Sequence, residues 1–200
     1  MNETNTTEFS LELLQAGDRA EFARLVDAYY TPIYRLGLKM LGDSADAEDV
    51  LQNTFLKALQ HLPNFEGRSS LSTWLYRIAA NEALMMLRKR RLTIPVDENA
   101  DDSDDDFIPT QLTDWCCLPE QEFLTDESKR HLDLAIQRLP ETLKVVFLLR
   151  DIEGLSIRET SEALGLSETA VKTRLLRARL HLRESLSGYY GERLNAENAQ

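Results

Sequence analysis

The sequence predicts an all-α fold: two small helical domains joined by an acidic flexible linker. Three observations carry this. Apolar residues recur at i, i+3, i+4 and i+7 in both terminal blocks, alternating strand patterns and internal repeats are not seen, and negative charge is concentrated in one central stretch. A chain of 200 residues suffices for one large domain or two small ones.

The charge map sets the domain boundaries. The whole chain has 23 Lys+Arg against 34 Asp+Glu, a net −11. Residues 1–91 hold 11 basic and 12 acidic residues, 92–128 hold no basic and 12 acidic residues, and 129–200 hold 12 basic and 10 acidic residues. The deficit therefore sits in the middle, around DENADDSDDDF at 97–107, a composition that favours a solvated linker. We place domains at 1–91 and 126–186, the linker at 92–125 and a polar tail at 187–200. Within the linker, Phe107, Ile108 and Trp115 are apolar islands that could dock on a neighbour.

In the first block, Asp18 can cap a helix reaching about Leu41, with Phe22, Leu25, Val26 and Tyr29 on one face and Pro32 expected to bend or split it. Gly42-Asp43-Ser44 breaks the chain, and 45–61 reads as a second helix carrying Val50, Leu51, Thr54 and Leu59. After Pro63 and Gly67, Ser70 can cap a long helix to about Arg91 with Leu71, Trp74, Leu75 and Ile78 on one face. In the last block, Pro140 suits the first turn of a helix bearing Leu143, Val146 and Phe147.

The clearest local pattern lies at 154–184. Ser156 with Glu159 forms a capping box for a short helix over 157–164, Gly165 can end it, and Ser167 can cap the next. Two helices joined by so tight a glycine turn are a helix-turn-helix signature. On the second helix, Val171, Leu175, Ala178 and Leu182 fall within about 60° of one another and form a core face. Thr169, Lys172, Thr173, Leu176 and Arg177 point the other way, a mixture suited to base edges and phosphates in a major groove, with Arg174, Arg179 and Arg183 flanking.

Two further surfaces stand out in the first block. The run LRKRR at 87–91 follows FEGRSSLSTWLYRIAAN at 65–81, where aromatics sit beside cations as in sites for single-stranded nucleic acid. Cations at a helix C-terminus are favoured by the macrodipole in any case, and Trp74 and Tyr76 suit a core equally well. The helix at 46–59 instead exposes Asp46, Glu48, Asp49, Gln52 and Asn53, a face for a basic protein partner rather than DNA.

Several function classes are excluded. No apolar run approaches the roughly 20 residues that span a bilayer. The opening MNETNTTEFS lacks a basic and an apolar region, so export is not expected and a soluble, cytoplasmic protein is. The adjacent Cys116 and Cys117 cannot staple a secreted scaffold, and with His61, His131 and His181 scattered no zinc site is expected. No phosphate-cradling glycine loop, nucleophile elbow or paired-histidine motif is present, so neither an enzyme, a cofactor nor a small-molecule substrate is expected.

Taken in order, DAEDVLQNTFLKAL, FEGRSSLSTWLYRIAANEALMMLRKRR and LPETLKVVFLLRDIEGLSIRETSEALGLSETAVKTRLLRARLHL resemble bacterial RNA polymerase sigma factors of the sigma-70 superfamily. The similarity is to the small extracytoplasmic-function (ECF, group 4) members and covers about 15–91 and 125–186. It implies a region two helical bundle, a region four helix-turn-helix and promoter-directed transcription initiation. Asp49, Gln52, Asn53 and Phe55 would dock on core RNA polymerase. Phe65, Arg77, Asn81, Arg88, Arg90 and Arg91 would open and hold the −10 element of promoter DNA. Thr169, Lys172, Thr173, Leu176 and Arg177 would read the −35 duplex. An anti-sigma factor is the implied regulator, binding one-to-one a chain that is otherwise a monomer. Met85 and Met86 depart from the polar or acidic residues common there. The alternative is a stand-alone helix-turn-helix regulator, which predicts a stable dimer on a palindrome.

Overall fold

The computed structural model describes residues 9–93 and 126–197, with side chains over 9–90 and 129–187. Most of the acidic linker, with Phe107, Ile108, Trp115, Cys116 and Cys117, lies outside the described residues. Those described form eight α-helices and no strand.

The first half comprises α1 (Leu11–Gln15), α2 (Arg19–Leu41), α3 (Ser44–His61) and α4 (Leu71–Thr93), with a 3-10 turn over Leu62–Asn64. Each long helix starts where a short polar side chain satisfies an otherwise orphaned amide. Asp18 accepts from Glu21 N at 2.8 Å, Asp43 from Asp46 N at 3.0 Å, and Ser70 from Thr73 N at 3.1 Å. Helix α2 ends at Gly42, whose φ of 73° is left-handed. Leu25, Ile33, Leu36 and Met40 of α2 meet Val50 and Ala58 of α3 and Leu75, Ala79 and Ala83 of α4 in the core. Where α2 passes α3, a Cβ on Gly37 would stand 3.2 Å from Ala47 Cα, so glycine permits the close approach there.

Pro32 does not split α2, which runs unbroken from Arg19 to Leu41. Proline removes one amide and crowds the preceding turn. The buried residues on both sides of it hold α2 against α3 and α4 all the same.

The second half comprises α5 (Asp126–Arg138), α6 (Glu141–Phe147), a π turn (Leu148–Ile152), α7 (Ile157–Leu164) and α8 (Glu168–Glu197). Pro140 stands at the cap of α6 rather than inside its first turn. Helix α5 is not among the elements expected above, although Leu132, Ala135, Ile136 and Leu139 recur at i, i+3, i+4 and i+7 and the last three are buried. Helix α8 continues to Glu197, so most of the stretch read as a polar tail is helical. The helix-turn-helix is built as expected: Ser156 and Glu159 form both bonds of the capping box, and Gly165 ends α7 with φ 66°. Val171, Leu175, Ala178 and Leu182 are buried together with Val146, Leu148 and Leu149. Among the described residues, no helix is long and apolar enough to cross a membrane.

The capping box holds the Glu159 carboxyl below its ordinary value of 4.5, chiefly through the Ser156 amide. A depressed value means its contribution is complete above 4.5 and is lost as pH falls through the folded value. Denaturant titration of Glu159→Gln against the parent should therefore show a stability gap at neutral pH that closes in acid. Ser156→Ala should cost about 1 kcal/mol, and Gly165→Ala, forced to left-handed φ, about 1–2 kcal/mol.

Candidate nucleic-acid interface and docking face

Three surfaces carry the site residues. On α3, Glu48, Asp49, Gln52 and Asn53 are exposed, and Leu56 beside them is 57% exposed. Phe55 is not part of that surface. It is buried under it, edge-on to Phe22 at 6.4 Å between ring centres. The acids crowd the first half of α3, where the helix dipole favours them. The exposed leucine, which sequence periodicity alone did not single out, adds an apolar centre to a polar face.

On α4, the helical period of about 100° per residue brings Trp74, Arg77, Asn81, Met85 and Arg88 into one stripe. Asn81, Met85 and Arg88 are exposed, while Trp74 and Arg77 are half-buried. The opposite face of α4, through Leu75, Ala79, Ala80 and Ala83, is in the core, and this anchors the stripe. At its N-terminal end, Phe65, Arg68, Trp74 and Arg77 line an open cavity of about 610 Å³ together with His61 and Glu162. Phe65 is buried and packs on Trp74 at 5.0 Å between ring centres, so it forms the floor. Gln15 secures that loop by donating its side-chain amide to the Phe65 carbonyl at 2.7 Å. The Nε of Arg77 is buried without a hydrogen-bond partner in the protein. A half-buried cation in a cavity with an aromatic wall suits a nucleobase or phosphate oxygen.

The LRKRR run is not uniform. Arg90 donates to the Leu41 carbonyl at 3.1 Å and pairs with Asp46, which straps the end of α4 to the α2–α3 turn. Arg88 instead faces a groove shared with Leu164, Leu166 and Arg174 of the second half. The side chain of Arg91 lies outside the described residues.

On α8, Thr169, Lys172 and Thr173 are exposed, Leu176 is 58% exposed, and Arg177 is half-buried beside them. The Thr173 hydroxyl donates to the Thr169 carbonyl at 3.0 Å, which orients its methyl group and lone pairs. Lys172 pairs only loosely with Glu168, at 3.8 Å. Arg179 is committed to Asp151 by two bonds of 2.8 and 2.9 Å, which raises its pKa and ties α8 to the π turn. This helix exposes donors, acceptors and an apolar side chain on one face, a set suited to a groove, while its other face is locked in the core.

A contact between the halves had no sequence signal. Glu153, just after the π turn, is buried between Arg35 of α2 and Tyr76 of α4. Burial and the adjacent carboxylate both raise the Tyr76 pKa, so the phenol stays protonated and donates.

Comparisons with known proteins agree with this layout. Residues 25–93 match the sigma-70 region 2 family and residues 129–182 the sigma-70 region 4 family. The ECF RNA polymerase sigma factor SigW of Bacillus subtilis is 32% identical over 176 residues, covering 88% of this chain and 94% of SigW. The RNA polymerase sigma-H factor of Pseudomonas aeruginosa is 36% identical over 173 residues, 84% of this chain and 88% of that protein. Among solved structures, the sigma factor RpoE in complex with the anti-sigma factor NepR from Bartonella quintana gives a TM-score of 0.64 at 25% identity, covering 84% of this chain and 97% of RpoE. CnrH in complex with the cytosolic domain of CnrY shares the fold, with a TM-score of 0.64 at 23% identity over 89% of this chain and 95% of CnrH. With a region 2 bundle and a region 4 helix-turn-helix matched in order, the chain belongs to the ECF family of RNA polymerase sigma factors.

Proposed function

We propose that this chain acts as an alternative sigma factor in the cytoplasm by dividing three tasks among α3, α4 and α8. The observation that carries the reading is that one chain exposes two separate surfaces suited to nucleic acid, the outward face of α8 and the stripe of aromatic, amide and cationic residues on α4. A stand-alone repressor needs only the first.

The exposed acids and amides of α3, Asp49, Gln52 and Asn53, dock on a basic surface of core polymerase, with Phe55 supporting them from beneath. Charge complementarity speeds the encounter and fixes its orientation. Arg77 and Asn81 hold the opened −10 strand, with Trp74 as the stacking wall. Arg88 and Arg91 neutralise backbone phosphates, whereas Arg90 serves chiefly to hold α4 in place. Lys172, Thr173, Leu176 and Arg177, with Thr169 at the helix start, read the −35 element in the major groove. The chain contributes specificity and strand opening and has no catalytic role of its own. Because RpoE of Bartonella quintana is held by an anti-sigma factor, a one-to-one complex with such a regulator is the expected resting form here too.

Run-off transcription with core polymerase from the chain's own host, on a promoter library, tests the reading. New transcripts sharing two upstream elements are expected. Their absence, with a palindromic footprint by the protein alone, would establish the stand-alone regulator instead. Single substitutions refine the assignment. Lys172→Ala or Leu176→Ala should lower −35-dependent initiation by about 1–3 kcal/mol, roughly fivefold to 150-fold. Arg88→Ala should weaken binding evenly across promoters and reduce the salt slope by about one. Asp49→Lys should slow association with core polymerase, most strongly at low salt.

A further inference from the structure

The loop between the 3-10 turn and α4, residues 65–70, supplies Phe65, Arg68 and Ser69 to the cavity on α4, yet it has little structure of its own. Among the described residues, Glu66 to Ser69 make no backbone–backbone hydrogen bond. At one end of the loop Ser70 caps α4. At the other, both backbone groups of Phe65 are engaged. Its amide donates to the Leu62 carbonyl at 3.0 Å, and its carbonyl accepts from Gln15 Nε2 at 2.7 Å. Among the described residues, the Gln15 bond is the one that reaches this loop from beyond its flanking turn and helix. Gly67, at a left-handed φ of 69°, also lies against α1, with a Leu11 methyl group 3.8 Å from where its Cβ would stand.

Helix α1 has only five residues, too few to be stable in isolation. Helix α2 holds it. The buried Glu21 carboxylate accepts from the Ser10 amide at 2.8 Å and from Arg24, and Arg24 stands over the Phe9 ring at 5.8 Å. Leu14 is buried in the core below. Gln15 therefore reaches the loop from a fixed base, and that base lies ahead of residues 25–93 that match region 2.

We infer that α1 is a positioning element for strand capture, and that Gln15 is the residue through which it acts. It fixes the Phe65 backbone and with it the loop at the mouth of the cavity. The inference rests on the proposed function, in which this cavity receives the opened −10 strand. A loop that became ordered only when the strand arrived would lose backbone entropy at each residue it fixed. With Phe65 held beforehand on Trp74, much of that cost falls in folding instead of binding. Gln15 does not line the cavity, so it acts through Phe65 and not on DNA. Its effect belongs to strand opening and leaves duplex reading by α8 unchanged.

The test compares the full chain with Gln15→Met, which keeps the side-chain length and removes the donor. Without polymerase, a nitroxide at the exposed Arg68→Cys, with Cys116 and Cys117 changed to Ser, reports loop motion by its line shape. The line should sharpen in Q15M at unchanged helicity. With core polymerase, 2-aminopurine in the −10 element separates initial promoter binding from strand opening. Q15M should slow opening by about threefold to tenfold, the weight of one hydrogen bond, and leave initial binding nearly as in the parent. Its preference among the four bases in single-stranded −10 oligonucleotides should shrink by a similar factor. Initial binding that fell as far as opening would mark a merely structural role and overturn the inference. A line shape and opening rate equal to the parent's would overturn it as well. If Q15M loses helicity, Q15A decides by the same readouts. Parent-like behaviour of Q15M beside normal run-off transcription defeats this inference alone, whereas a parent without run-off defeats the functional reading and the strand-capture role with it.

Discussion

The buried carboxylate of Glu153 is the constraint on which the relation between the two halves depends. Taking a carboxylate out of water costs several kcal/mol unless its lone pairs are met by good donors. Here both oxygens receive an Arg35 bond and one receives the Tyr76 hydroxyl as well, so the cost is largely offset. A pair of this kind adds little net stability, but it tolerates only one geometry. The π turn places it. The Glu153 amide bonds five residues back to the Leu148 carbonyl at 2.9 Å, closing a wider turn than an α-helix allows just before the helix-turn-helix begins.

Helix α4 links that constraint to the chemistry. Leu75, Ala79, Ala80 and Ala83 bury one face, and the alanines keep that face narrow. The remaining circumference is free to show Trp74, Arg77, Asn81 and Arg88 along one stripe while Tyr76 turns toward Glu153. The helix that would read DNA is thus also the helix that the second half grips. Lys57 and Glu82 add a side-chain pair between α3 and α4, so the acidic face of α3 and the stripe on α4 are held in a fixed relation.

What the sequence revealed about this arrangement was local. Asp18, Ser70, the Ser156–Glu159 box and Gly165 act within a few residues, and the structure has each of them at a helix end as expected. The buried face of α8 followed from the helical period alone. Interactions between residues distant in sequence left no such trace. Pro32 looks like a break until the packing around it is known, and Arg90 looks like its neighbours in LRKRR until the Leu41 carbonyl and Asp46 are found beside it. The resemblance alone places Phe55 and Phe65 on surfaces. Burial makes them supports instead, with Phe22 and Trp74 as their partners.

A tie built from charge is suited to being undone. An interface closed by apolar contacts alone would expose hydrocarbon to water on opening, at about 25 cal/mol for each Å². Glu153, Arg35, Lys39 and Asp133 instead recover hydration when the halves part, and that recovery offsets much of what the broken bonds lose. The apolar contacts that remain across the boundary still favour closure. A polymerase surface needs only to bind the open chain better than the closed one, and the shift equals that difference in affinity. An anti-sigma factor that bound the closed form better would move the same equilibrium the other way.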